Sequence, residues 1–378
     1  MSLLAQQLAT LMAILPKLSA KQQAQIEALL SEGTLHQGPL WAGHMTADIS
    51  PASQLGKLLA TAHHGNLLSP ELYPQLVDIE QQLLKWFCQH FQQSHGYFTH
   101  GSSYANLEAL WQARDRADTD SKLVYGSQDV HYSIVKACQI LGLNFHAIAC
   151  NDRGEMDEVA LQQACEEYAP LAIVATAGTS STGAVDPLNA CFEIAEQCHA
   201  WCHIDAAWGG GLALLNQLPD LSCAHSICVD PHKAFAQARP CSVVLYQQAL
   251  QGLDIATNYL SQTPKKTLAG SYGGELFLPL WCSLLLSGEK GLIQQIQSRL
   301  EQAELFYTLI KQNTDWWCLH SITGIVCFRP EQALANHEQL LQQGLLSETK
   351  FNDQTVYRAV FATDLCQATS LFATISKQ

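Results

Sequence analysis

The sequence predicts an α/β fold: a mostly parallel sheet flanked by helices, followed by a smaller α+β C-terminal domain. Three observations carry that prediction. Short β-rich runs alternate with helical ones between about residues 65 and 255, the texture changes near residue 256, and 48% of the 378 residues are hydrophobic, enough to fill a large core.

The candidate strands of the large domain are, in order, SKLVYGS, NFHAIAC, LAIVATAG, WCHIDAA, SICVD and SVVLYQ, with helical stretches between several of them. Strands separated by helices favour a parallel sheet covered on both faces, and ligands of such sheets gather at the strand ends. A segment rich in Thr, Pro and Lys, TNYLSQTPKKTLAGSYGG, then leads into a long helical region. The smaller domain is expected to take its strands from SITGIVCFRP and TVYRAVFA and to close with a terminal helix. The expected boundaries are an N-terminal helical segment over 1–62, the large domain over 63–255 and the small domain over 256–378.

Leu4, Leu8, Leu11 and Leu15 fit an amphipathic N-terminal helix, and the segment lacks the basic start and unbroken apolar centre of a signal peptide. A cytoplasmic protein is expected. Charged residues make up 14% of the chain and the net charge is −14, which argues against nucleic acid or an anionic membrane as a partner. No apolar run reaches the roughly 18 residues that a membrane-spanning helix needs. The 14 cysteines are scattered, several in apolar runs such as LWCSLLL, and read as reduced thiols. Cys198 and Cys202 in CHAWCH have zinc-like chemistry and would share a helix face if the helix persisted that far. No second pair at structural spacing accompanies them, so no metal site is expected.

Four features fall at predicted strand ends. THGSSYANLEALWQARD turns into a helix at Ser102 and Ser103, where free amides and hydroxyls suit a phosphate; a serine there equally serves as a helix cap. His131 begins the next helix and can lie flat over a planar ring or cap that helix. Asp205 sits among Ala and Gly, where a bare carboxylate is costly unless it meets a cation such as a protonated pyridine nitrogen; capping the following loop is the other reading. Lys233, in CVDPHKAF, is a lysine at a sheet edge that can form a Schiff base. Together these are what pyridoxal 5′-phosphate asks of a protein.

The segments FTHGSSYANLEALWQAR, DVHYSIVKACQILGL, TAGTSSTGAVDPL, HIDAAWGG and DPHK resemble, in order, the motifs of the group II pyridoxal-phosphate-dependent amino-acid decarboxylases of the aspartate aminotransferase superfamily. The resemblance runs from about HHGNLLSPELYPQL at 63–76 to LWCSLLLSGEKGL at 280–292. It implies an aspartate aminotransferase-like large domain binding pyridoxal 5′-phosphate and a decarboxylase acting on an amino acid. By resemblance Lys233 is the Schiff-base lysine, Asp205 the partner of the pyridine nitrogen and His131 the ring-stacking histidine. Ser102 and Ser103 match the phosphate-binding pair, and Thr176, Ala207 and His232 match positions lining the cofactor. Ser271 matches the point where a neighbouring subunit reaches the phosphate, which implies a homodimer. Arg358 lies where the superfamily often places an arginine that grips a substrate carboxylate, with an exposed strand arginine as the other reading, and Asn66 is a second candidate for substrate contact.

The chain departs from that pattern in two places. Only SQTPKKTLAG separates Tyr259 and Leu260 from Ser271, where larger members carry a long loop with a tyrosine thought to reprotonate the product; His131 or His232 could replace it. In this the chain resembles the short archaeal tyrosine or aspartate decarboxylases and the sphingosine-phosphate lyases. Tyr272 stands where an arginine follows the serine in relatives. A carbon–carbon lyase and a non-catalytic homologue of the same fold are the alternative readings.

Overall fold

The computed structural model describes residues 6, 9, 13, 18–33, 37–250 and 267–376. Leu4, Leu8, Leu11 and Leu15, the expected 255/256 domain boundary, and Tyr259 and Leu260 lie outside the described residues.

Helices α1 (Ala20–Gly33), α2 (Pro51–His63) and α3 (Pro74–His90) lie before the sheet. The start of α2 is set by proline in its first turn and by Ser50, whose hydroxyl accepts from the Ser53 amide at 3.2 Å. The large unit then runs β1 (His95–Thr99), α4 (Ser102–Arg116), β2 (Leu123–Ser127), α5 (Tyr132–Leu141), β3 (Asn144–Ile148), α6 (Glu158–Glu167), β4 (Ala172–Thr176), α7 (Leu188–Gln197) and β5 (Trp201–Asp205). It closes with α8 (Gly211–Leu214), β6 (Ser226–Val229), α9 (Pro231–Ala234) and β7 (Ser242–Tyr246). The seven strands lie in the order β1-β7-β6-β5-β4-β2-β3, and only β7 runs against the rest. β4, β6 and β7 are buried along their whole length, which explains why they read as continuous apolar runs without alternation.

All six strands expected in this region form. One further strand, β1, was not among those expected, because HGYFT is short and its polar start is exposed. The helix that would have put Cys198 and Cys202 on one face does not persist that far. Helix α7 ends at Gln197 with Cys198 at its cap, and Cys202 is already in β5.

The smaller C-terminal unit carries the long helix α10 (Leu278–Asn313), then β8 (Trp317–Ser321), β9 (Ile325–Arg329), α11 (His337–Gln342), β10 (Ser347–Phe351), β11 (Gln354–Val360) and α12 (Ala368–Ile375). Its four strands are antiparallel in the order β10-β11-β9-β8. SITGIVCFRP was expected to be one strand, but Gly324, with φ +86°, makes the turn of the β8–β9 hairpin. Helix α10 is broken at Gly288, where φ is +68° and ψ 174°. The next residue, Glu289, accepts from Trp86 Nε1 at 2.7 Å and meets His90 Nε2 at 3.2 Å, fastening the kink to α3.

Arg299 of α10, 5% exposed, ties this unit to the lysine-bearing segment of the large one. Its guanidinium donates to Ala234 O at 2.7 Å, Ala362 O at 3.1 Å and Lys233 O at 3.5 Å, and lies 3.8 Å from Asp364. Arg299→Ala leaves several buried carbonyls without donors and is expected to cost on the order of 3 kcal/mol, read as a lower midpoint in urea unfolding.

Candidate active site

The parallel strands deliver their C-terminal ends to one edge, and the chain leaves that edge through the segments that hold the candidate residues. Ser102, His131, Thr176, Asp205, Ala207 and Lys233 line a single cleft there, with Met45, Gly178, Ser180 and Trp208. These come from five strand ends and from the chain before α2.

Asp205 ends β5 and is 4% exposed. Alternation along the strand puts His203 on the same face, and Asn106, one turn inside α4, meets both. Asn106 Nδ2 donates to Asp205 Oδ2 and to Ser133 Oγ, each at 2.9 Å. Its Oδ1 lies 2.9 Å from His203 Nε2 and accepts the Cys228 thiol at 3.1 Å. Asp205 Oδ1 accepts from the Ala207 amide at 3.1 Å and from Cys228 Sγ at 3.3 Å.

Donor and acceptor matching then fixes both imidazoles. Because Asn106 Oδ1 can only accept, His203 Nε2 must carry a proton, and His203 Nδ1 takes the hydroxyl proton of Ser226 at 2.8 Å. Ser226 in turn accepts from Trp201 Nε1 at 2.8 Å. At the other end Ser133 accepts from Asn106, donates to His131 Nδ1 at 2.8 Å, and its amide also points at that nitrogen at 3.3 Å. His131 is therefore neutral with its proton on Nε2. Burial pushes its pKa down, opposed by Asp205. His131 is the N-cap of α5 and also lines the cleft.

Lys233 sits on the short helix α9 directly after β6. Its Nζ lies 2.9 Å from Asp230 Oδ2, with the lysine side chain 21% exposed and the aspartate 1%. Burial pulls the Lys233 amine down, but Asp230, then Asp205 and Cys228, outweigh it and the net shift is upward. Burial pushes Asp230 up, and Lys233 and His232 more than reverse it. The pair is ionised on both sides.

The other expected residues fall in different places. Neither serine caps α4: the N-cap is Gly101, with φ +129° and no side-chain bond, and Ser102 Oγ instead donates to Asp230 Oδ2 at 2.8 Å. Ser103 is exposed in the first turn, outside the cleft lining. His232 points beneath the cleft, with Nδ1 donating to Cys241 O at 2.6 Å and Nε2 3.5 Å from Asp230. Arg358 stands at the rim and donates to the carbonyl of Ser180, to Ser347 Oγ at 3.0 Å and to Gly43 O at 3.4 Å. It is half-buried, so the exposed-strand reading is set aside, and none of its partners is a carboxylate. Asn66 Nδ2 donates to Ser271 Oγ at 3.2 Å, and neither lines the cleft of the single chain. Tyr272 packs inward, its hydroxyl donating to Glu80 Oε2 at 3.3 Å.

Asn106, Ser133, His203, Cys228 and Asp230 were missed as site residues. A usable signal existed for two of them: asparagine is a poor choice inside a helix, and His203 precedes Asp205 by one strand repeat. Asp230 stood in the lysine motif itself.

The chain matches the profile of the pyridoxal-dependent decarboxylase conserved domain over residues 15–331. It is 26% identical over 347 residues to an aspartate 1-decarboxylase of Aliivibrio fischeri, covering 77% of this chain and 63% of that protein. It is 33% identical over 224 residues to an L-2,4-diaminobutyrate decarboxylase of Rhizobium meliloti, covering 55% and 45%. The chain thus spans between 45% and 63% of the length of these curated relatives. In fold it resembles a crystal structure of Catharanthus roseus tryptophan decarboxylase in complex with L-tryptophan, with a TM-score of 0.79 at 22% identity over 90% of this chain and 83% of that one.

Burial lowers the pKa of His203, wholly inaccessible, to about 4. The unfolded imidazole titrates near 6.5, so between those values the unfolded chain binds the extra proton and stability falls as pH drops from about 6.5 to about 4. The contribution at stake is about 3 kcal/mol. His203→Gln is expected to flatten that part of the stability profile, measured by urea unfolding at a series of pH values.

Proposed function

We propose that this chain, which belongs to the pyridoxal-dependent decarboxylase family, removes the α-carboxyl group of an L-amino acid as carbon dioxide and releases the amine. The observation that carries the proposal is the convergence of Lys233, Asp205, His131 and Ser102 on one cleft.

The residues present fit pyridoxal 5′-phosphate. Asp205 is a buried carboxylate in the cleft with no ion-pair partner among the described residues, as a site for a protonated ring nitrogen requires. Thr176 Oγ1 is buried beside it without a hydrogen-bond partner. Helix α4 opens on a glycine that offers no side-chain cap, leaving its first amides for an anion. Lys233 would hold the cofactor's aldehyde carbon, Asp205 its ring nitrogen, and His131 and Ala207 its ring, with Thr176 lining the site. The phosphate would fall to the α4 amides and Ser103, since the Ser102 hydroxyl is committed to Asp230. When bound, the cofactor supplies an electron sink for the bond broken at the substrate's Cα.

The protein's own task is orientation, exclusion of water and delivery of a proton. Arg358 would grip a substrate carboxylate: its fork is held by carbonyls and a hydroxyl at the rim, and it keeps its full charge free for an anion. His131 rather than His232 is placed to protonate the product, because it lines the cleft and carries its proton on the nitrogen not bonded to Ser133. His232 is occupied by Cys241 and Asp230.

A homodimer is part of the proposal. Ser271 and Asn66 form a pair outside the single chain's cleft, at the position the family resemblance assigns to contact with a neighbouring subunit. Asn66 would then act with Ser271 at that contact, not at the substrate of its own chain. Leu285 and Leu286, 64% and 63% exposed, supply apolar surface on the following helix. A cytoplasmic setting is supported by the cysteines, all 14 of which are free thiols. No helix among the described residues is long and apolar enough to cross a membrane.

The test is to reconstitute the chain with pyridoxal 5′-phosphate and screen the twenty amino acids for carbon dioxide release. The expected outcome is a visible absorption band and carbon dioxide with at least one substrate, both lost in Lys233→Ala. Keto acid or aldehyde without carbon dioxide would overturn decarboxylation, and absence of the band would overturn the cofactor assignment. With the substrate so found, Arg358→Met is expected to raise KM at least tenfold, about 1.4 kcal/mol, in steady-state kinetics.

A further inference from the structure

Asp230 is less accessible than Asp205, at 1% against 4%, and carries its partners on one oxygen. One oxygen, Oδ2, receives the Ser102 hydroxyl at 2.8 Å and the Lys233 ammonium at 2.9 Å, and lies 3.5 Å from His232 Nε2. Its other oxygen, Oδ1, is buried with no hydrogen-bond partner. The residue follows β6 as the N-cap of α9 and stands three positions before the lysine, so one helical turn brings the two side chains together. Asp205 is differently engaged: both of its oxygens are committed to Asn106, the Ala207 amide and the Cys228 thiol. The groups that face the Lys233 amine are thus Asp230 and His232 from its own segment, Asp205 and Cys228 from the neighbouring strands, and His131 from the start of α5.

We propose that Asp230 is a positioning residue for Lys233: it holds the free ε-ammonium in an ion pair anchored through Ser102 to the first turn of α4. The amine is kept as a cation in the cleft, aimed by Asp230 and, through it, by Ser102 of α4. It becomes a nucleophile only when that pair opens. This deepens the reading of Lys233 as the cofactor lysine and rests on it. It also explains why a serine that resembles a phosphate ligand points elsewhere.

The test uses the full-length protein stripped of cofactor, so that it reads the lysine and not turnover. A trace pulse of acetic anhydride across a pH series, analysed by mass of the Lys233 and Lys57 peptides, follows the uncharged fraction of each amine. Lys57 is an internal reference: its Nζ donates to the Glu275 carbonyl at 2.9 Å, and burial lowers its pKa. In the wild-type protein Lys233 is expected to titrate at higher pH than Lys57. In Asp230→Asn the Lys233 midpoint is expected to fall by at least about one unit, a tenfold faster labelling at fixed pH, while Lys57 stays put. Lys233 titrating at or below Lys57 in the wild type, or an unmoved midpoint in folded Asp230→Asn, would overturn the proposal. If that variant does not fold, the wild-type order of the two lysines decides. Failure here with an intact visible band on reconstitution sinks only the role of Asp230; loss of the band sinks the cofactor reading.

Discussion

A carboxylate buried at the end of a sheet must be compensated, and the compensation of Asp205 organises the core of this protein. Only 4% of it is exposed, so the chain supplies an amide side chain, a backbone amide and a thiol. Asn106 can serve only if its own carbonyl is satisfied, which calls for a proton on His203 Nε2. That in turn calls for a hydroxyl at Ser226 and a donor at Trp201. The other Asn106 proton runs through Ser133 to His131. One demand at one carboxylate therefore sets two imidazole tautomers and joins α4, α5, β5 and β6 in a polar network that is satisfied from end to end.

The second organising demand is to hold two units in register across the cleft. Two arginines of the C-terminal unit meet it in the same way, by donating to carbonyl oxygens of the large unit. Arg299 grips the chain at Lys233 and Ala234, and Arg358 grips it at Ser180. Arg299 pairs with Asp364 at 3.8 Å, whereas none of the hydrogen-bond partners of Arg358 is a carboxylate. Burial lowers the pKa of both, yet guanidinium stays charged under any ordinary condition. Arg358 is thus a guanidinium beside the cleft residue Ser180 whose hydrogen-bond partners are two carbonyls and a hydroxyl, in a chain whose net charge is −14.

How much of this was legible in the sequence depended on the kind of signal. Strands buried on both faces, such as AIVAT and SVVLY, stand out as apolar runs, and the motif residues Asp205 and Lys233 stand out because charge in such surroundings needs a reason. Strands β8 and β10 did not, because WCLHS and SETKF mix polar and apolar residues along edges of the small sheet, where only tertiary pairing selects the strand. Ser102 shows the limit of reading roles by position. Its placement in the motif is as expected, but its hydroxyl direction is decided by Asp230, 128 residues later. Asn66 likewise gained its partner, Ser271, only from the fold.

The reversed direction of β7 has a consequence for the lysine. Val229, at the end of β6, pairs with Val243, near the start of β7, so the segment between them leaves and re-enters the sheet at adjacent points of the same edge. Lys233 is therefore carried on a loop with both feet planted side by side, close to the first foot. The segment beyond Phe235 folds back on the lysine turn, with the Gln237 amide donating to Pro231 O at 3.0 Å and the His232 amide to Cys241 O at 3.2 Å. The return path therefore braces the same turn that the approach path begins, and the excursion holds the amine as one unit.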